Sequence, residues 1–133
     1  MMTRFLTEKE LLFINALVIK KYSPTEEIRV KERSLLDSAI HRPQQSVFGE
    51  DAYPTIWLKG AALYESIARN HAFVGGNKRT GFAALYQFLW LNGYRLAVEE
   101  KEAENFIVGM VETKPNIPLT EIAEWIEVNC ERK

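Results

Sequence analysis

Apolar residues recur every three or four positions in six segments of the chain, and polar or Gly- and Pro-containing stretches separate these segments. This spacing is typical of helices that bury one face against a core. The predicted helices cover residues 7–22, 31–41, 55–70, 77–91, 99–112 and 120–130. We therefore expect an all-α fold, a compact bundle of about six helices that forms one domain over residues 1–133.

Short local signals mark several of the helix ends. Residues 7–10, Thr-Glu-Lys-Glu, have the pattern of a capping box, and Thr120 is placed to cap the last helix. Ser23-Pro24 and Asn92-Gly93 are typical of the residues that end a helix. Residues 94–98 are expected to form a short extended segment.

The helix predicted over residues 77–91 is apolar around most of its circumference. Its apolar members include Phe82, Ala83, Ala84, Leu85, Tyr86, Phe88, Leu89 and Trp90. A helix that lacks a polar face is buried in a globular protein. We therefore expect the other helices to surround it, with Trp57 and Tyr64 of the preceding helix in the core.

Composition and charge narrow the classes of function. The chain has 133 residues, of which 47% are hydrophobic, and its net charge of −1 gives no general case for binding nucleic acid or an anionic membrane. We find no signal peptide and no apolar run suited to crossing a bilayer. The single cysteine, Cys130, excludes an intrachain disulfide, suits a reducing cytoplasm and is assigned no role. Zinc is not expected, since Cys and His do not cluster.

The candidate chemistry lies in residues 71–79, His-Ala-Phe-Val-Gly-Gly-Asn-Lys-Arg, directly before and within the start of the central helix. The first turn of a helix has unpaired N–H groups and a partial positive charge, which favour a bound anion. Gly75 and Gly76 let the backbone approach such an anion closely. Asn77 can cap the helix or donate its amide.

Cations accumulate around this turn. Between residues 66 and 98 the chain has no Asp or Glu, and its basic side chains are Arg69, Lys78, Arg79 and Arg95. Lys78 and Arg79 oppose the helix dipole, so their position favours a phosphate site over local helix stability. The alternative is an ordinary loop and cap followed by two solvated cations. Arg69 either suits the dipole at the end of its own helix or faces the same site.

The pattern His-x-Phe-x-x-Gly-Asn-Lys-Arg-Thr over residues 71–80 resembles the signature of the Fic/Doc family. The likeness extends over about residues 35–93, and Lys78 with the short chain is similar to the Doc branch of toxin–antitoxin systems. The resemblance implies a Fic/Doc-like helical fold.

The resemblance also gives a meaning to the polar stretch over residues 42–54. In this family the corresponding region forms a flap beside the active site that positions the protein substrate. Arg42, Gln44 and Phe48 would then contact a target protein. An ordinary connector between two helices is the alternative.

A transferase activity is implied by the same resemblance. His71 would accept the proton of a target hydroxyl. The backbone from Gly75 to Asn77 would form an anion nest, and Lys78 and Arg79 would hold the phosphates of a nucleotide.

The residue at position 78 separates the two branches of the family. Typical Fic enzymes have Gly where Lys78 stands and transfer AMP, whereas Doc transfers the γ-phosphate of ATP to elongation factor Tu. Lys78 therefore implies an ATP-dependent protein phosphotransferase that uses Mg²⁺ and has a Phd-like antitoxin as its partner. An AMP transferase of Fic type and a catalytically inactive module that binds a nucleotide or an antitoxin are the alternatives.

One departure from the family pattern concerns the metal. Family members usually have Asp or Glu where this chain has Gly75, and that carboxylate helps bind Mg²⁺. Glycine offers no side-chain ligand, so no metal ligand is assigned. Three explanations compete: the chain is weakly active or inactive, or a nearby acid such as Glu50, Asp51 or Glu65 substitutes, or the change allows a toxic protein to be produced.

Overall fold

The computed structural model describes residues 2–112 and 117–133. For residues 110–112 it describes the backbone but not the side chains. The helices in these ranges are α1 Glu8–Tyr22, α2 Arg33–His41, α3 Ile56–Asn70, α4 Asn77–Leu91, α5 Glu100–Glu112 and α6 Leu119–Val128. The strands are β1 Ser46–Val47, β2 Glu50–Asp51, β3 Tyr94–Leu96 and β4 Cys130–Arg132. The predicted all-α class with six helices is confirmed.

Most helix ends follow the local signals in the sequence. The capping box at α1 is present: the Thr7 hydroxyl accepts from the backbone N–H of Glu10, and the Glu10 carboxylate accepts from the N–H of Thr7 at 3.0 Å. At the start of α3 the hydroxyl of Thr55 caps the backbone N–H of Leu58. α4 covers the residues predicted for it.

The prediction for the last helix is wrong at both ends. The N-cap is Pro118, so Thr120 lies inside the first turn of α6 rather than capping it. The helix ends at Val128, two residues early, because Cys130–Arg132 pair as β4 with Tyr94–Leu96 in an antiparallel register. This pairing also confirms the extended segment predicted after α4.

The centre of the fold is the pair α3 and α4. α1, α5 and β3 pack on α4, while α2 and α6 pack on α3. Tyr64 and Phe88 from the two central helices are fully buried. α4 is buried on the side that faces α3. The prediction that the other helices surround it is wrong for its other side, where Tyr86 and Trp90 keep 38% and 37% of their surface exposed. No helix in the described ranges is both long and apolar enough to cross a membrane.

Small residues let α3 and α4 come close together. A Cβ atom placed on Gly81 would lie 3.3 Å from the Cβ of Ala68 and from the carbonyl oxygen of Tyr64. Such contacts are tight, so this crossing depends on glycine. It places the end of α3 and the start of α4 next to each other, with residues 71–76 as the connection.

The stretch predicted as a polar loop contains a 3₁₀ turn, Arg42–Gln44, and a hairpin formed by β1 and β2. Phe48 and Gly49 at the hairpin tip both have positive φ, 52° and 80°, as in the tight turns that suit two-residue hairpins. The ammonium group of Lys59, almost fully buried, donates to the Asp51 carboxylate at 3.0 Å and to the carbonyl of Tyr53. The hairpin is therefore tied to α3 at its base.

Candidate active site

His71 ends α3 and turns the chain toward α4. Its backbone is left-handed, with φ 54° and ψ 49°, a conformation that residues other than glycine rarely adopt. Backbone strain of this kind concentrates at functional sites. The residue is exposed, so a hydroxyl of another molecule can reach the imidazole.

The turn between the two helices is closed by Asn77. Its side-chain oxygen accepts from the backbone N–H of Phe73 at 3.1 Å, and its amide donates to the carbonyl of Phe73 at 3.0 Å. The predicted capping role is wrong, because Gly76 holds the N-cap position with φ 69° and Asn77 is the first residue of α4. The amide of Asn77 shapes the loop, and Phe73, only 1% exposed, anchors it in the core.

A second clamp comes from Asn15 in α1, which the sequence interpretation did not single out. Its amide nitrogen donates to the carbonyl oxygen of Gly75 at 3.1 Å and to the hydroxyl of Thr80 at 3.0 Å, and the residue is 1% exposed. A single polar residue on the otherwise apolar, buried face of a helix is the signal that could have identified it.

We expect Asn15→Leu to lower the free energy of unfolding by about 1–3 kcal/mol, because the carbonyl of Gly75 and the hydroxyl of Thr80 lose their buried partner. Urea unfolding at equilibrium measures this loss. Lys9→Leu, at an exposed position on the same helix, is the matched control and should leave the stability nearly unchanged. An Asn15→Leu protein as stable as the parent would show that these two contacts contribute nothing.

The connection between α1 and α2 runs along the motif turn. The N–H of Val74 donates to the carbonyl of Arg29 at 2.9 Å, and the N–H of Lys31 donates to the carbonyl of Ala72 at 2.8 Å. Val30 and Phe73 form an antiparallel bridge between these bonds. The α1–α2 connection is thus a wall of the site, which hydrophobic periodicity does not predict.

Arg79 lies on the side of α4 that faces α1 and α5. Its guanidinium sits 4.0 Å from the ring centroid of Tyr22 and forms a 3.0 Å ion pair with Glu104. Only the fold brings these two partners to Arg79, since neither lies near residue 79 in sequence. A phosphate that binds Arg79 would compete with the Glu104 carboxylate.

Two neighbouring clefts border these cations. Lys78 and Arg79 line one of about 200 Å³ together with Glu104, Ile107 and Val108. Arg79 also lines a cleft of about 320 Å³, whose aromatic walls are Tyr22, Phe82 and Tyr86. An aromatic cleft beside a cation suits a nucleotide, whose base is flat and whose phosphates are anionic.

Arg69 belongs to a chain of charges on α3. Its Nη1 lies 3.0 Å from one oxygen of Glu65, whose other oxygen is 2.8 Å from Arg42. Arg42 also donates to the hydroxyls of Tyr53 and Ser66 at 3.0 Å. Burial alone would lower the pKa of Arg42, but its bonds to Tyr53 and Glu65 outweigh burial and raise it.

The three residues predicted to contact a target therefore differ in availability. Arg42 is held at the base of the flap by its contacts with α3. Gln44 is exposed, with a 3.4 Å bond from its amide to the carbonyl of Ile40. Phe48 is fully exposed at the hairpin tip, next to Val47, which is 57% exposed.

Gly75 is half-buried, and the space that a side chain would occupy there is filled by another residue. A Cβ atom placed on Gly75 would lie 3.0 Å from the Cδ of Glu26 and even closer to its Oε2. Two of the acids predicted as substitutes are already paired, Asp51 with Lys59 and Glu65 with two arginines. The carboxylate beside Gly75 comes instead from the α1–α2 connection.

The remaining Cys and His side chains lie away from the motif turn in sequence. Within the described residues, no three His, Cys, Asp or Glu side chains cluster as a self-contained metal site. Burial raises the pKa of the Cys130 thiol to about 11, which keeps it protonated and unreactive at neutral pH. The Nδ1 of His41 lies 2.8 Å from the carbonyl oxygen of Asp37, one helical turn away.

Comparison with known proteins places the motif in a family. Residues 5–89, well over half of the chain and including the whole motif, match the sequence model of the Fic/DOC family. A relative, "Toxin Doc" of Mycolicibacterium smegmatis, is 55% identical over 73 residues, which are 55% of this chain and 56% of the relative. The aligned region thus spans little more than half the length of that relative. The chain belongs to the Fic/Doc family.

Proposed function

We propose that this protein is a Doc-like toxin of a toxin–antitoxin module that transfers the γ-phosphate of ATP to a hydroxyl of elongation factor Tu. The observation that carries the proposal is the exposed, left-handed His71 beside a helix N-terminus with Lys78 and Arg79 in its first turn. The likeness to a protein called "Toxin Doc" supports the toxin assignment. The reducing cytoplasm, where translation occurs, is the proposed place of action.

The proposed reaction needs a base, a phosphate cradle and little else. His71 accepts the proton of the target hydroxyl while that oxygen forms a bond to the γ-phosphorus of ATP. The bond between the γ-phosphorus and the oxygen that bridges to the β-phosphate breaks, ADP leaves with that oxygen, and His71 releases its proton to solvent. The transfer is direct and involves no covalent enzyme intermediate.

The start of α4 stabilises the phosphates in this proposal. Backbone N–H groups from Gly75 to Asn77 and the helix dipole favour negative charge, and Lys78 and Arg79 neutralise it. Arg69, at the end of α3, adds a further positive charge near the turn. Mg²⁺ bound to ATP supplies additional neutralisation of the phosphates.

The hairpin is the proposed contact surface for the protein substrate. An exposed edge strand can pair with an extended peptide through main-chain hydrogen bonds. The exposed side chain of Phe48 at the tip and Gln44 at the base are available for side-chain contacts. Arg42 supports the base of the hairpin through its bonds to α3.

A Phd-like antitoxin is the proposed partner. Phe13 and Leu17 on α1 are 64% and 51% exposed, beside a cleft of about 330 Å³ that they share with Ile14 and Ala83. An apolar groove along a helix suits the apolar face of a partner helix. Binding there would cover a surface next to the cleft that contains Arg79.

The test is the intact mass of elongation factor Tu after incubation with this protein and Mg-ATP. We expect the addition of one phosphoryl group. Addition of AMP would favour the Fic type of transfer. No addition at any enzyme concentration would contradict the proposal and favour the second candidate, a binding module without catalysis, which Gly75 makes reasonable because it lacks the usual acid.

Lys78 should determine the direction of transfer. We expect Lys78→Gly to lose γ-phosphate transfer by at least about tenfold and to add AMP instead, because the cation that orients the phosphates is gone. Glycine also weakens a helix by about 1 kcal/mol, so Lys78→Met, a good helix former, separates loss of charge from loss of helix. Phosphoryl transfer by Lys78→Met at the parent rate would contradict this role.

A further inference from the structure

We propose that Glu26 supplies the carboxylate that members of the family usually carry at the position of Gly75, and that it is the protein ligand of the Mg²⁺ that accompanies ATP. This inference rests on the proposed function, because it assigns a residue to the same phosphate site. It explains how a chain with glycine at this position retains a metal-binding acid.

The first argument is the space beside Gly75. The two nearest heavy atoms to a Cβ placed on Gly75 are Oε2 and Cδ of Glu26, and the third, 3.4 Å away, is the Cδ1 of Ile19. An Asp side chain on residue 75 would carry its carboxylate one bond beyond that Cβ. The Glu26 carboxylate therefore lies within the reach of an acidic side chain on residue 75.

The second argument is the main-chain support of Glu26. Its N–H donates to the carbonyl of Ser23 at 2.8 Å, which turns the chain after α1. The same connection then pairs with the motif turn through Arg29 and Lys31, as described above. Glu26 thus enters the site from a segment that is hydrogen-bonded to the turn, although it lies 49 positions from Gly75 in sequence.

The third argument is charge. None of the ion pairs among the described residues involves Glu26, whereas its neighbour Glu27 pairs with Arg29 at 3.2 Å. Glu65 and Asp51, which were predicted as substitutes, are neutralised by their partners. Glu26 is exposed and carries a carboxylate that can meet a cation.

The chemistry of Mg²⁺ fits a site with one protein carboxylate. Mg²⁺ keeps several waters and is usually held by one or two carboxylates together with the phosphates of the substrate. Its remaining ligands would come from ATP and water.

The test compares the binding of a non-hydrolysable ATP analogue with and without Mg²⁺, by isothermal titration calorimetry and without elongation factor Tu. We expect Mg²⁺ to raise the affinity of the parent protein for the analogue. In Glu26→Gln this increase in affinity should be smaller by a factor of at least about ten. Glu27→Gln, one residue away and also exposed, is the matched control and should behave as the parent. Because no target is present, the result does not depend on the proposed transfer.

A double variant tests the equivalence of the two positions. Glu26→Ala combined with Gly75→Asp removes the side chain that fills the space and restores an acid at residue 75. We expect this protein to recover the effect of Mg²⁺ to within a few-fold of the parent. Glu26→Gln with an unchanged effect of Mg²⁺, Glu26→Gln with tighter binding of the analogue, or failure of the double variant to recover would each overturn the inference.

Discussion

Replacing His71 with Asn is expected to reduce phosphoryl transfer by about 10²–10⁴-fold, the usual contribution of general acid–base catalysis. The proton of the target hydroxyl would have no acceptor, while the anion-binding turn would remain intact. The measurement is the initial rate of phosphorylation of elongation factor Tu at saturating Mg-ATP, with binding of the ATP analogue measured in parallel.

Asparagine is the suitable replacement because it tolerates the left-handed backbone that residue 71 adopts. We expect the midpoint of thermal unfolding of His71→Asn to equal that of the parent protein, so a loss of rate cannot be assigned to unfolding. His41→Asn, which removes the other histidine from the end of α2, is the matched control and should keep the parent rate. Full activity of His71→Asn would exclude a catalytic base at this position.

The same variant separates an enzyme from a binding module in cells. If expression of the parent protein arrests growth, an enzyme would lose this effect with His71→Asn, because transfer stops. A module that acts by holding a partner would keep it, since the exposed imidazole contributes little to the fold. Retained growth arrest together with retained partner binding would therefore favour the module.

Replacing Phe88 with Ala is expected to lower the free energy of unfolding by about 3–5 kcal/mol. Phe88 lies on the side of α4 that faces the core, is fully buried, and stacks on Phe5 with a distance of 6.1 Å between ring centroids. Its removal would leave a cavity beside α3, which the packed helices could fill only in part. Equilibrium unfolding in urea, followed by circular dichroism, measures the loss.

Tyr86→Ala is the matched control because it removes an aromatic ring from the same helix on the side that faces solvent. Tyr86 is 38% exposed, so we expect a smaller loss of free energy of unfolding, about half of that for Phe88→Ala or less. An equal loss for the two variants would mean that α4 is not the centre of the core. A change in the slope of the unfolding curve would indicate a different unfolded state rather than a different core.

Local interactions explain why much of this fold could be predicted from the sequence. The capping box at Thr7 and the apolar period of each helix involve residues within a few positions of each other. A short stretch of sequence is therefore enough to predict them. The motif from His71 to Arg79 is contiguous for the same reason. These features also sufficed to predict the family, which the match over residues 5–89 confirmed.

The predictions that failed concern the ends of helices. Thr120 has the side chain of a capping residue, but α6 begins after Pro118, so Thr120 lies inside its first turn. Cys130 continues the helical pattern, yet β3 offers its backbone a partner from 34 positions away in sequence. A single sequence does not show which such partner is available.

The sequence by itself determined the helices of this protein, their order and the one turn rich in glycine and cations. Only the tertiary structure decided what surrounds that turn: the amide of Asn15 on the Gly75 carbonyl, the ring of Tyr22 and the carboxylate of Glu104 around Arg79, and the carboxylate of Glu26 beside Gly75. The physical reason is that helix formation depends on contacts within one turn of the chain, whereas a binding site is formed by side chains that only packing brings together.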